Sequence, residues 1–193
     1  MIIMPRNSNF SEGSMELLKF ATKMLEEYHS RLYTYLDGLT TEELNWRPDS
    51  SANSIAFIVW HTARVEDRWF QLFCQGKSDL WIDGRWFDKL GMDEKQPVAR
   101  YKPKELEDFP ILTMDELKSY FEAVRSETQK YLVNIGPGEL EKAPGRSPFP
   151  ESSSASPFAE FTIQRMFRQL IQEEIQHLGQ VGMLRGLQRG LDK

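Results

Sequence analysis

The feature that most constrains this chain is the helical spacing of its apolar residues. Four stretches of the 193-residue sequence repeat apolar side chains at intervals of three and four, which is the period of one helix face. They extend from about Ser14 to Leu39, from Asn53 or Ser54 to before Gly76, from Thr113 to about Ile135, and from about Phe158 to Leu187. Strand patterns are too weak to build a sheet. The sequence therefore predicts an all-α protein, a four-helix bundle.

Each apolar stripe is expected to face the core of the bundle. The inward positions are Leu18, Ala21, Leu25, Leu32, Leu36 and Leu39 in the first helix, Ile55, Ile58, Val59, Val65, Trp69, Leu72 and Phe73 in the second, and Ile163, Met166, Phe167, Leu170, Val181 and Leu184 in the fourth. Capping signals support the helix starts: Thr113 with Glu116 forms a capping box, and Ser11 or Ser14 is expected to cap the first helix. Thr41, followed by Glu43, predicts a further short capped turn.

Two long connections interrupt the helical pattern. Residues 77–112 form an irregular excursion rich in Trp, Asp, Gly and Pro, with a short helix expected near Trp86–Leu90. Residues 136–157, rich in Pro, Gly and Ser, are expected to cross over the bundle. Connections of this length usually have a function or move. With no internal repeat in the sequence, we expect residues 1–193 to form a single domain.

Composition narrows the partners and the compartment. The formal net charge is -5, and Lys and Arg are scattered among acidic residues, which argues against a nucleic-acid partner. Cys74 is the only cysteine, so no intrachain disulfide can form, as suits a reducing cytosol. Neither a signal-peptide pattern nor an apolar run long enough to span a membrane is present. The expected location is the cytoplasm.

Three residues on two predicted helices suggest metal binding. Glu173 and His177 lie four residues apart on the inward face of the fourth helix, and His61 lies on the inward face of the second. A buried carboxylate with two imidazoles suits a divalent cation, and three protein ligands leave a position open, as catalytic sites do. The alternative is a set of buried histidines that are hydrogen-bonded to neighbours without any metal.

Other polar residues are candidates for supporting roles. Glu174 and Glu66 are candidates to orient or tune the metal ligands without binding the metal themselves. Glu174 also competes with Glu173 as a ligand. The segment from Glu173 to His177 differs from the H-E-x-x-H signature of zinc proteases because Glu173 stands in place of the first histidine. His29 is expected at the edge of the first stripe, and Cys74 in the core or at its boundary.

An aromatic group in the excursion has two interpretations. Trp81, Trp86 and Phe87 either roof the metal cleft or form a satellite cluster that pins the long connection.

The chain resembles the DinB/YfiT-like superfamily. The segment EEIQHLGQVGMLRGLQRG is similar to that family's closing helix, with Glu173-x-x-x-His177 followed by Gly179 and Gln180, and IAFIVWHTARVEDRW resembles the helix that supplies the first ligand, His61. The resemblance implies a bundle with long crossover connections, a divalent ion on three side chains and frequent dimerisation. Zinc or nickel is the expected ion, with iron or manganese as alternatives. Many relatives carry His where this chain has Glu173; the Glu form resembles the mycothiol-dependent maleylpyruvate isomerase branch.

The function expected from this resemblance is that of a metal-dependent thiol S-transferase or isomerase. In such an enzyme the metal lowers the pKa of a low-molecular-weight thiol, which then attacks a small electrophilic substrate. A hydrolase that activates water with the same ion is an alternative, as is a stress-related bundle that binds metal without turnover. A homodimer is expected from the resemblance alone. No organic cofactor is expected, since nucleotide-binding motifs are absent from the sequence.

Overall fold

The computed structural model describes residues 8–146 and 161–190, and these are helical with no strand among them. The α-helices are α1 (Ser8–Leu36), α2 (Thr41–Asn45), α3 (Ile55–Asp67), α4 (Leu80–Asp83), α5 (Trp86–Lys89), α6 (Pro103–Glu107), α7 (Met114–Asn134) and α8 (Ile163–Arg189). A π-helical segment, Arg68–Cys74, continues α3, and a short 3₁₀ turn, Pro137–Glu139, follows α7.

Four long helices build the predicted four-helix bundle: α1, α3 with its π-helical continuation, α7 and α8. Helix α3 packs against both α7 and α8, and α1 packs mainly against α8. Two long connections separate the long helices, as predicted: residues 75–113 lead from the π-helical segment to α7, and residues 135–162 lead from α7 to α8. The all-α prediction is therefore confirmed.

Helix boundaries differ from the predicted ones by a few residues. Helix α1 extends through both serines that were expected to cap it, so that prediction is wrong. The capping box at α2 uses Thr40, whose hydroxyl accepts from the Glu43 amide, and not Thr41. Thr113 caps α7 as predicted. Helix α8 begins after Thr162, and the predicted start at Phe158 lies outside the described residues.

The apolar stripes are buried as predicted in α1 and α8, but the end of the second helix differs. Trp69 and Leu72 were expected inward, whereas Phe70 and Gln71 are buried and those two are only partly so. The cause is the π-helical segment, in which the Gln75 amide donates to the Phe70 carbonyl five residues back. The wider turn takes up an additional residue and so moves the buried face by one position.

Helix α3 is the centre of the bundle, because every residue from Ile55 to Asp67 is buried. A helix that is buried all round must also bury its polar residues, and these include Arg64, Glu66 and Asp67. Each of them therefore needs a partner on a neighbouring element.

A polar layer divides the apolar core into two clusters. One cluster gathers residues such as Leu32, Trp60 and Phe121, and the other gathers residues such as Phe70 and Phe167. Between them, at the middle of the bundle, lie buried polar side chains from three helices: Thr62 and Glu66 of α3, Arg125 and Thr128 of α7, and Glu174 of α8.

Asp67 holds the excursion against the bundle. Its carboxylate accepts hydrogen bonds from the Leu80 amide at 2.9 Å, the Trp81 amide at 3.0 Å and the Tyr120 hydroxyl at 3.0 Å. Arg64 neutralises it from 3.5 Å and also lies over the Trp81 ring. One buried carboxylate thus joins α3, α4 and α7.

Trp81 belongs to the main core; it neither roofs the metal cleft nor forms a satellite cluster. It is fully buried and meets Trp60 and Tyr120 edge to face, and Trp86 and Phe87 pack against the same cluster.

None of the helices in residues 8–146 and 161–190 combines the length and the apolar character that a membrane span requires.

Replacing Asp67 by Ala tests this anchor. The Asp67→Ala protein should lose about 3–5 kcal/mol of unfolding free energy, because two backbone amides and the Tyr120 hydroxyl lose their buried acceptor. Urea unfolding measures the loss. Asp83→Ala, which removes an exposed carboxylate from the same excursion, should change stability by about 0.5 kcal/mol or less. Equal stability of the two variants would contradict the anchoring role.

Candidate metal centre

The structure brings His61, Glu173 and His177 together. One potential ligand atom from each side chain lies within 4.8 Å of the others. Glu173 Oε1 is 3.4 Å from His61 Nε2 and 3.3 Å from His177 Nε2, and the two imidazole rings meet edge to face at 4.8 Å. Residues that are 112 positions apart in sequence therefore share one small volume.

His61 is held from the opposite side of its ring. Its Nδ1 lies 2.6 Å from the Val98 carbonyl oxygen, and its ring is parallel to the Phe57 ring with centroids 6.0 Å apart. A carbonyl oxygen can only accept, so Nδ1 carries the proton. Nε2, which faces Glu173, then either donates a hydrogen bond to the carboxylate from the protonated ring or offers a lone pair to a metal from the neutral ring.

His177 is oriented in the same way by its own helix. Its Nδ1 lies 2.9 Å from Gln180 Oε1, one turn further along α8. Burial lowers the pKa of His177, but the hydrogen bonds to Glu173 and Gln180 outweigh it and raise the pKa above its usual value. Hydrogen bonds from His177 and His61 lower the pKa of Glu173 to about 2, against the effect of burial, so the carboxylate is ionised at neutral pH.

The donor set fits a divalent cation. Both Nε2 atoms face one ionised carboxylate oxygen, and three electron-rich atoms at this separation repel one another unless a positive charge, an imidazole proton or a metal ion, lies among them. A metal ion supplies that charge, and the contacts at both Nδ1 atoms are of the kind that orients metal-binding histidines. Nitrogen and oxygen donors suit zinc, nickel, iron and manganese.

The three side chains line one wall of a cavity of about 330 Å³. Its other walls are formed by Phe57 at the start of α3 and by the end of the excursion, where Ala99, Arg100, Tyr101 and Leu106 lie; Ser51 and Asn53 complete it. The Glu173 side chain is 30% exposed, so the group is open on one side.

Glu66 and Glu174 lie in the polar layer and contact a buried arginine. Arg125 Nη2 is 3.0 Å from Glu66 Oε2 and also hydrogen-bonds Glu174 Oε1, while Nη1 donates to the Leu25 carbonyl at 3.2 Å. The hydrogen bonds of the two imidazoles go instead to the Val98 carbonyl, Gln180 and Glu173. Glu174 and Glu66 therefore join α3 and α8 to α7.

One arginine faces two acids, so negative charge exceeds positive charge in this group when both acids are ionised. Burial raises the pKa of Glu174 well above its usual value, and the neighbouring Glu66 raises it further, against the opposing effect of Arg125. Both effects favour the protonated form of Glu174 beside the Arg125–Glu66 ion pair.

The remaining candidates lie away from the centre. His29 sits at the edge of the α1 stripe, as predicted, where Nε2 is 2.7 Å from Glu122 Oε1. Cys74 is buried, as predicted, and burial raises the pKa of its thiol to about 12, so it is a poor nucleophile.

The positions of Val98 and Arg100 were not found from the sequence. The excursion has no periodic pattern that would have indicated which of its residues reach α3. Gln180 does carry a signal in the sequence, because a polar residue three positions after His177 on a helix shares its face; no role for its side chain is predicted from the sequence.

The comparisons with known proteins agree with the fold. The sequence model of the DinB superfamily matches residues 24–181 of this chain. In a crystal structure of a conserved protein from Enterococcus faecalis, the fold is similar with a TM-score of 0.74 and 23% identity, covering 88% of this chain and 95% of that one. Identity at this level supports the fold alone. None of the curated proteins compared matches the chain.

Replacing Arg125 by Met tests the polar layer. We expect the Arg125→Met protein to lose about 3–5 kcal/mol of unfolding free energy, because two buried acids lose their cation. Adding Glu66→Gln and Glu174→Gln should recover part of that loss, since no carboxylate would then be left unpaired. Thermal and urea unfolding of the three proteins measure this. A single variant as stable as the wild type would show that the arginine does not stabilise the pair.

Proposed function

The chain belongs to the DinB superfamily, and on that basis we propose that it is a metal-dependent enzyme that transfers or isomerises small molecules with the help of a low-molecular-weight thiol. In this proposal His61, Glu173 and His177 bind one divalent ion. Zinc and nickel are the first candidates, and iron and manganese are the alternatives that the same donors accept.

The observation that supports the proposal best is that three potential metal ligands meet at one point and border an open cavity. Three donors from α3 and α8 lie within 4.8 Å of one another, and they line a cavity large enough for a small organic molecule. A purely structural metal site closes its coordination with four protein ligands, whereas three ligands leave a position for a reactant. The partial exposure of Glu173 at the cavity supports access of a reactant to the donors.

The chain's own residues orient the donors. The Val98 carbonyl and Gln180 keep the protons on the Nδ1 atoms, so both Nε2 lone pairs stay available. Glu173 contributes one negative charge, which reduces the net charge of the centre by one unit compared with a third histidine. A divalent ion bound there supplies Lewis acidity, which lowers the pKa of a thiol or a water molecule entering the cavity.

The proposed transfer has a simple balance. The thiol loses its S–H proton to solvent, and its sulfur forms a bond to an electrophilic carbon of the substrate. In a transferase the leaving group departs with the electron pair of its bond to that carbon and takes up a proton. In an isomerase the sulfur adds to a double bond and departs again after rotation, so the thiol is recovered.

Two alternatives use the same site. A hydrolase would direct a water molecule, in place of a thiol, at the substrate. A non-catalytic bundle would use the ion to tie α3 to α8, but the open cavity and the polar layer that already joins these helices favour an enzyme. We also propose a cytoplasmic location, since the sole cysteine suits a reducing compartment. A homodimer is proposed from family membership alone.

Metal content tests the ligand assignment. Purified wild-type protein loaded with zinc and dialysed should hold about one ion per chain, and His61→Ala and His177→Ala should hold little, because two remaining ligands bind weakly. His29→Ala is the matched control, since it removes the third histidine outside the site, and it should retain the ion. Elemental analysis gives the result. Equal zinc in His177→Ala and wild type would refute the assignment.

Turnover assays separate the proposed chemistries. With zinc- or nickel-loaded protein, a panel of small thiols and an electrophilic acceptor should give conjugation that disappears in His177→Ala and persists in His29→Ala. Hydrolysis of ester or amide substrates without any thiol would favour the hydrolase. If neither reaction occurs and removing the metal lowers the melting temperature, the non-catalytic alternative is correct.

A further inference from the structure

Arg100 lines the cavity of the candidate metal centre without a partner of its own. Its side chain is exposed, and within residues 8–146 and 161–190 it takes part in no hydrogen bond or ion pair. Its backbone has φ of 67°, in the left-handed region that residues with a side chain rarely adopt. Such a conformation persists only where the surrounding structure holds it, and it is commonest at functional sites.

The segment around Arg100 is held on both sides. Before it, the Val98 carbonyl binds His61 Nδ1 at 2.6 Å. After it, the Tyr101 hydroxyl donates to the Pro97 carbonyl at 2.7 Å, and the Tyr101 ring meets Phe57 edge to face at 5.0 Å. The backbone of Arg100 is therefore placed at the cavity wall by contacts with α3 and within its own segment.

The charges that line the cavity favour an anionic ligand once a metal is bound. Arg100 and Glu173 are the residues of opposite formal charge that line it, and they balance each other. A divalent cation at the donor group would leave the cavity with a net positive charge. Carboxylates suit both positive groups, because a guanidinium binds a carboxylate through two parallel hydrogen bonds and a hard or borderline metal accepts oxygen ligands.

We propose that the cavity binds a small organic acid whose carboxylate is held by Arg100 while its other end faces the metal. This inference rests on the proposed metal site and names the class of substrate that the site takes. The carbon chain of the acid lies against Phe57, Tyr101 and Leu106, which supply the apolar wall. The cavity of about 330 Å³ matches the size of a small-molecule site. Arg100 thus selects the substrate.

Titration calorimetry with two acids of the same chain length tests this assignment. Succinate carries a carboxylate at each end and butyrate at one end only, so the zinc-loaded wild type should bind succinate more tightly. Arg100→Gln should weaken succinate binding about tenfold or more, the loss expected for a charge-assisted hydrogen bond, and should remove the preference over butyrate. Arg100→Lys should recover part of the affinity, because it restores the charge without the planar fork.

Lys95→Gln is the matched control, because it removes an exposed positive charge from the same excursion outside the cavity. It should bind succinate as the wild type does. Zinc content is measured on every sample, so the two proposals fail separately. Zinc-loaded Arg100→Gln that binds succinate like wild type refutes the role of Arg100 and leaves the metal site standing. Wild type that retains no zinc refutes both. Inorganic phosphate that binds as tightly as succinate refutes the organic-acid class.

Discussion

The buried arginine of α7 is the constraint on which the rest of the bundle depends. Arg125 reaches Glu66 of α3 and Glu174 of α8 at the level where the core changes from one apolar cluster to the other, and it also contacts the backbone of α1. A charge that is removed from water must be paired and hydrogen-bonded, so the helices have few ways to shift along one another without breaking these contacts. The arginine therefore sets the register of all four long helices.

That register decides the geometry of the candidate metal centre. Glu174 in the polar layer is the neighbour of Glu173 at the centre, and Glu66 lies just over one turn after His61. The contacts of Glu66 and Glu174 with Arg125 fix the positions of α3 and α8 along the bundle axis. They thereby place His61 and Glu173 opposite each other. A site whose donors are held within a few tenths of an ångström needs such support, since ligands on free helices would have to be ordered by the ion itself.

The excursion between the second and third long helices positions one wall of the cavity. Asp67 holds its first part to the core through two backbone amides, and His61 holds its last part through the Val98 carbonyl. The wall of the cavity is thereby attached to the helix that carries a ligand. Ordering a long connection costs conformational entropy; here the short helices α4, α5 and α6 and the buried hydrogen bonds offset that cost.

Much of the candidate site was accessible from the sequence because helices have a fixed period. The four-residue spacing of Glu173 and His177, and the position of His61 among apolar residues at intervals of three and four, indicated that all three face inward before any packing was known. The π-helical turn after α3 was not accessible from the sequence, since it leaves no pattern; it leaves Trp69 and Leu72 only partly buried and buries Phe70 and Gln71. Nor were the partners of Glu66 and Glu174, because periodicity shows which face a side chain is on but not what it meets there.

The sequence by itself determined the helices, their inward faces and the chemical types of the donors, since these depend on local spacing and on the nature of each side chain. Only the tertiary structure decided that Arg125 lies between two acids, that the Val98 carbonyl reaches His61, and that Arg100 lines the same cavity. These are contacts between residues far apart in the chain. They follow from how the helices pack and where an aperiodic segment returns to them, and no local pattern carries that information.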